Sequence, residues 1–227
     1  MNFRILLSFF ICFFILACSN TSNQQSDQEK DSSAIPDTTV ETTQMKTILF
    51  FGNSLTAGYG LDDPNDAFPG LIQLKIDSLN LPYKTINAGL SGETSSGGKE
   101  RIDWLLKQRI DVFVLELGAN DGLRGLPVDE TYKSLQAIID KVKAAWPDCK
   151  MVLTGMLVPP SMGQRYSEEF KAVFINLAKE NNMAFVPFLL ENVAGEVELN
   201  QGDGIHPTVE GQKIVAETVW KILYPIL

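Results

Sequence analysis

Three side chains stand out in this sequence for the chemistry their positions would allow. Ser54 ends the apolar run Ile48-Leu49-Phe50-Phe51-Gly52-Asn53-Ser54 and is followed by a glycine-rich exit, Leu55 to Gly60. A serine hydroxyl is a weak nucleophile until a base takes its proton, a further group orients the base, and donors meet the developing oxyanion. His206 must be that base, because it is the only histidine in the chain. Asp203 lies three residues before it in Gln201-Gly202-Asp203-Gly204-Ile205-His206-Pro207. At that spacing the carboxylate can accept from the imidazole Nδ1–H, leaving Nε2 free to take a proton from a hydroxyl. The same residues also read as a capped turn with a surface histidine ahead of a helix, and Asp-x-x-His alone does not decide between the two.

The elements that must position these groups alternate regularly. Apolar runs predict strands at 47–51, 83–87, 111–117, 151–155 and 184–187. Between and after them, helical spacing of apolar residues predicts helices at 66–80, 99–108, 129–146, 167–181 and 209–223. Pro69 is tolerable in the first turn of its helix, and Pro147 stops the third. Strand–helix alternation of this kind implies a three-layer α/β/α fold with a parallel sheet and helices on both faces. In such sheets ligands collect beyond the carboxyl ends of the strands. Three strands in succession end there in turns of glycine plus a polar residue: Gly52-Asn53-Ser54, Ser91-Gly92-Glu93 and Gly118-Ala119-Asn120-Asp121. Each alone is ordinary turn chemistry. Three on one edge of one sheet make a site.

The 227 residues are 44% hydrophobic and 21% charged, which fits one globular domain with an extension. The extension is at the front. Arg4 precedes the apolar run Ile5–Ala17, which is too short to span a membrane and reads as a secretory signal over 1–17. Ile15-Leu16-Ala17-Cys18 resembles the bacterial lipobox, which implies cleavage before Cys18, its lipidation and anchoring to a membrane of the bacterial envelope. A signal peptide with an incidental cysteine is the plainer alternative. Residues 18–46 are polar, too poor in large apolar side chains to fold, and read as a flexible tether, with the folded domain at 47–227. Cys12 would leave with the signal, and Cys149 would then stand alone as core filling with no disulfide to make. A net charge of -9 argues against nucleic acid as a partner.

Four blocks taken together bring a family into view. Gly-Asn-Ser-Leu at 52–55, Ser-Gly-Glu-Thr at 91–94, Gly-Ala-Asn-Asp at 118–121 and Asp-Gly-Ile-His-Pro at 203–207 resemble, in order, the blocks of the SGNH hydrolases. The likeness is nearest to the bacterial thioesterase I/lysophospholipase type, often called arylesterases. It implies a flavodoxin-like fold with Ser54 as nucleophile, His206 as general base and then acid, and Asp203 as its orienting carboxylate. It also implies an oxyanion hole made by the Ser54 and Gly92 backbone N–H groups and the Asn120 amide. Losing one preorganised donor of that kind costs about 2.7–4 kcal/mol of barrier. Two positions depart from the pattern: Asn53 stands where Asp is usual, and Glu93 where Asp is frequent.

Other candidates are weaker. Gly89-Leu90-Ser91-Gly92-Glu93 lacks the last glycine of a nucleophile elbow. Gly92 to Glu100 echoes a phosphate loop, but Gly98 intrudes before the lysine and Glu100 replaces the Ser/Thr. Asp62, Asp63 and Asp66 read as solvated turn residues rather than a glycosidase pair. One histidine and no cysteine cluster leave no metal site in view, and no cofactor is implied.

For substrate, Leu157 to Gly163 is an apolar loop on the catalytic edge, where the resemblance implies a substrate-covering loop, so Pro159 and Pro160 are expected at one wall of an acyl groove. Leu123, with Leu126 and Pro127, is expected at the other. The expectation is an esterase of acyl or aryl esters, lysophospholipids or thioesters, monomeric by preference. Two competing readings remain: a carbohydrate O-deacetylase acting on surface glycans, and a non-catalytic lipoprotein that binds glycan or lipid.

Overall fold

The computed structural model describes residues 44–227. The signal segment, Cys18 and nearly all of the tether lie outside the described residues.

In chain order the elements are β1 (Lys46–Gly52), α1 (Ser54–Ala57), α2 (Phe68–Ser78), β2 (Tyr83–Gly89), α3 (Ser95–Leu105), β3 (Val112–Glu116), α4 (Ala119–Leu123), α5 (Val128–Ala145), β4 (Lys150–Thr154), α6 (Gln164–Asn181), β5 (Ala184–Val186) and α7 (Val209–Leu223). The five strands form one sheet in the order β2-β1-β3-β4-β5, every pair parallel. Helices α2 and α7 pack together on one face, and α3, α5 and α6 on the other. This is the expected α/β/α architecture. β1 takes in Lys46, one residue before the expected domain start at 47, because Lys46 already pairs with Tyr83.

A central strand covered on both faces must be apolar on both, and Ile48 to Phe51 are all fully buried. Phe50 meets Phe68 of α2 edge-on at 5.5 Å, while Phe51 turns to the opposite face under the Arg101 guanidinium of α3 at 4.4 Å. Burying each such phenyl contributes about 1.5–3 kcal/mol, so the strand that delivers Ser54 is among the best anchored in the molecule.

Helix α3 starts four residues earlier than its apolar spacing suggests. Thr94 caps it, accepting from the Gly97 N–H at 3.3 Å, and Gly97 and Gly98 fall inside the first turns. Gly98 is there for closeness: a Cβ would lie 2.3 Å from Leu117 and 3.1 Å from Phe51. The glycine pair that echoes a phosphate loop is thus a helix-to-sheet contact. Leu74 and Leu79, by contrast, lie on the outer side of α2 and its exit. Among the described residues, no helix is long and apolar enough to cross a membrane.

Candidate active site

All four motif blocks reach the same edge of the sheet. Gly52 pairs with Gly89 on one side and Glu116 on the other, so the strand ends before Ser54, Ser91 and Asn120 lie side by side. Asn53 turns the chain into α1 and caps it, its Oδ1 accepting from the Leu55 N–H at 2.9 Å. Ser54 opens that helix, where its own N–H has no carbonyl of the helix to donate to.

His206 comes to Ser54 across 152 residues of chain, with Nε2 at 2.9 Å from the Ser54 Oγ. On its other side Nδ1 meets the Asp203 Oδ2 at 2.6 Å. Asp203 also serves as the turn cap that the plainer reading expected: its Oδ1 accepts from the Ile205 N–H at 2.9 Å and the His206 N–H at 3.0 Å. The two readings describe two oxygens of one carboxylate. The imidazole hydrogen bond, helped by the two backbone donors, holds the Asp203 carboxyl down to about 2. With Asp203 ionised and fixing the Nδ1 proton, Nε2 presents its lone pair to the serine hydroxyl.

Gly92 and Asn120 stand beside each other. The Asn120 Nδ2 donates to the Glu93 carbonyl at 2.9 Å, and Arg124 donates to the Gly92 carbonyl at 3.1 Å. Gly92 has φ +81°, a conformation that resists a side chain, and nothing stands within 4 Å of where a Cβ would be. Its outward surface is therefore open to a substrate. Glu93 is buried and bound by both arms of Arg101, at 2.8 and 2.6 Å, while Arg101 also donates to the Ala88 carbonyl. The extra methylene of glutamate relative to aspartate is what extends its carboxylate along this arginine fork.

The expected substrate residues meet less directly. Leu123 is 45% exposed, and Pro159 and Pro160 are also exposed, all on the catalytic side. Their neighbourhoods touch through Gly122, whose Cβ would lie 2.5 Å from Val158, and through Gly125, near Met162. The 157–163 loop therefore divides: Val158 tucks inward while Leu157, Pro159 and Pro160 face out. Pro160 shares a depression with Gln164, Ser167 and Lys171 of α6 rather than with Ser54. A larger cavity, lined by Lys143, Lys150, Met151 and Ala184, lies at the opposite end of the sheet, remote from this chemistry.

Four supporting side chains escaped the sequence reading. Asp121 is buried and accepts from the Ser95 N–H at 2.8 Å and its hydroxyl at 2.5 Å, tying the third block to the second. Tyr59 lies against the His206 ring at 4.6 Å. Gln201 donates to the Tyr59 carbonyl at 2.7 Å and to the Pro207 carbonyl at 3.0 Å, strapping the histidine loop to the serine turn. Glu116 sits beneath Asn53, fully buried, and burial raises its carboxyl to about 7 against the pull of its hydrogen bonds. Only Glu116 left a readable trace, as a lone acid between Leu115 and Leu117 in an apolar strand.

Comparison with known proteins decides the family. The profile of the GDSL-like lipase/acylhydrolase family matches residues 50–214. The chain belongs to the GDSL-like lipase/acylhydrolase family. It is an ester hydrolase of the SGNH type. Esterase TesA of Pseudomonas aeruginosa is 37% identical over 183 residues, covering 80% of this chain and 90% of that protein. The thioesterase 1/protease 1/lysophospholipase L1 of Escherichia coli is 38% identical over 182 residues, covering 80% and 85%. Among solved structures, this hydrolase superposes on the psychrotrophic esterase EstA from Pseudoalteromonas sp. with a TM-score of 0.75 at 35% identity, covering 80% of this chain and 98% of that one.

Proposed function

We propose that this hydrolase cleaves carboxylic esters through an acyl-enzyme on Ser54. The reading is carried by one observation, the Nε2 to Oγ contact of 2.9 Å backed by Asp203 on Nδ1. His206 takes the Ser54 proton as the oxygen attacks the ester carbonyl, and returns it to the departing alkoxide. Water then attacks the acyl carbon as His206 takes one of its protons, and the bond from Ser54 Oγ to the acyl group breaks with His206 returning that proton to Oγ as the acid leaves. The Ser54 and Gly92 N–H groups and the Asn120 amide carry the charge of each tetrahedral intermediate.

The substrate class follows from what surrounds the serine. Tyr59, Leu90 and Leu157 on loops of the catalytic edge and Leu123 at the end of α4 are exposed apolar side chains. They favour acyl and aryl esters, including lysophospholipids and thioesters, over sugars. The named activities of the relatives, an esterase and a thioesterase/lysophospholipase, agree with that preference. Turnover of a medium-chain p-nitrophenyl ester should exceed that of an acetylated glycan. The reverse order would favour the O-deacetylase, and no turnover of either, the binding protein.

We further propose that the chain is a monomeric lipoprotein of the bacterial envelope, held to the membrane by acyl chains on Cys18. Arg4, the short apolar run and Leu16-Ala17-Cys18 support this reading. The intact mass of the mature chain checks it: a mass without acyl additions, or a start other than Cys18, would refute it.

A further inference from the structure

The turn that carries Ser54 is built around a carboxylate. Glu116 ends β3 directly beside Gly52 and is 1% exposed. Its Oε2 accepts from the Asn53 N–H at 3.0 Å and the Thr56 hydroxyl at 2.7 Å, and its Oε1 from the Asn53 Nδ2 at 2.7 Å. These bonds grip the chain on both sides of the serine. Gly52 leaves the space for them: a Cβ there would fall 2.4 Å from Oε2 and 2.1 Å from the Thr56 hydroxyl. The groups that bond to Glu116 are all neutral: the Asn53 N–H and side-chain amide and the Thr56 hydroxyl.

We propose that Glu116 is a positioning residue, a pure acceptor that fixes the Ser54 turn, and that Asn53 is its matched donor. The inference rests on the reading of Ser54 as nucleophile. Each of the three groups offers a proton, and the carboxylate offers only lone pairs once ionised, so the fit is complete at pH above about 7, to which burial raises this carboxyl. A glutamine at 116 keeps the shape and spoils the match. Its amide nitrogen would confront either the Asn53 N–H or the Asn53 Nδ2. Turning the Asn53 amide over to offer Oδ1 instead would give up the Leu55 cap. An aspartate at 53, the usual residue of the resembled pattern, changes the contact differently, by placing two carboxylates together, where one proton must be shared. Making both changes restores the match. The introduced glutamine donates to the introduced aspartate, and its oxygen still accepts from the backbone N–H and Thr56.

The test is steady-state hydrolysis of a p-nitrophenyl acyl ester by the full chain, from acidic to alkaline pH, with melting temperatures and fluorophosphonate labelling rates alongside. Glu116→Gln should lower kcat by between about tenfold and a hundredfold with KM little changed, the scale of a slightly misplaced nucleophile. Asn53→Asp should gain a new alkaline loss of kcat as the shared proton leaves. The N53D/E116Q double variant should recover kcat to within about threefold of wild type and lose the alkaline limb, a non-additivity that only direct contact produces. Wild-type kcat in Glu116→Gln would overturn the inference, as would a folded double variant as slow as the two single losses combined. Should Glu116→Gln not fold, the double variant alone decides by the same criterion. Wild type that is active but unlabelled on Ser54 would refute the nucleophile assignment instead.

Discussion

Ser54→Ala and His206→Ala are each expected to lower kcat for ester hydrolysis by about a millionfold, and the double variant to lose no more than either alone. The reason is that the two side chains form one device. The hydroxyl is useless without a lone pair 2.9 Å away to receive its proton, and the imidazole, once the hydroxyl is gone, has no nucleophile to activate. What survives comes from binding and from the oxyanion donors, which neither substitution touches. Ser54 is partly exposed at the head of a four-residue helix, and the strand before it is anchored by Ile48 to Phe51, so both variants should melt near wild type. Single-turnover kinetics with active-site titration measures the loss. Substantial ester turnover by Ser54→Ala would place the nucleophile elsewhere.

Asp203→Asn should cost about ten-thousandfold in kcat, with the histidine still in place. The loop geometry dictates why. The Ile205 and His206 N–H groups both point at the Asp203 Oδ1, so an asparagine must keep its oxygen there to preserve the turn. Its amide nitrogen then faces Nδ1 and donates to it. That moves the ring proton to Nε2, where it confronts the serine hydroxyl with a donor instead of a lone pair. The wild-type carboxyl titrates near 2, lowered by the imidazole hydrogen bond, so it stays ionised down to strongly acidic solution. The sign follows: the orienting charge is present above that pH and is lost only as pH falls through it. Any acid limb of the wild-type rate profile at milder pH therefore comes from a group other than Asp203. A pH–rate profile of Asp203→Asn beside wild type checks both statements, and near-normal kcat in the variant would show His206 to be oriented without it.

That Ser54, Asp203 and His206 would meet was legible in the sequence because there is a single histidine to bring to the serine and because the glycine-rich turns closed strands of unmistakably apolar character. Ile48 to Phe51 could only be a strand buried on both sides. What escaped was whatever depends on a partner far along the chain. Glu116 reads as the polar end of a strand until Asn53 and Thr56, some sixty residues earlier, are folded onto it. The start of α3 was hidden because Gly97 and Gly98 weaken local helix preference, and the reason for Gly98 is a contact with Leu117 and Phe51. The short helices α1 and α4 carry too few residues for any periodicity to register. The 157–163 loop reads from the sequence as one groove wall, but Val158 packs against the core and Pro160 faces α6, because an apolar loop carries no sign of which neighbour each side chain meets.

The far pole of the sheet has a practical bearing. Lys46, Tyr83 and Lys150 begin their strands there, and Tyr83 and Lys150 both donate to the carbonyl of Leu227, the Tyr83 bond at 2.6 Å. Entry into β1 and the tail after α7 therefore emerge together, on the side away from His206. A bead, a fusion partner or an affinity handle coupled at either point would leave the reactive rim facing open solution, so immobilised protein should keep its access to bulky esters.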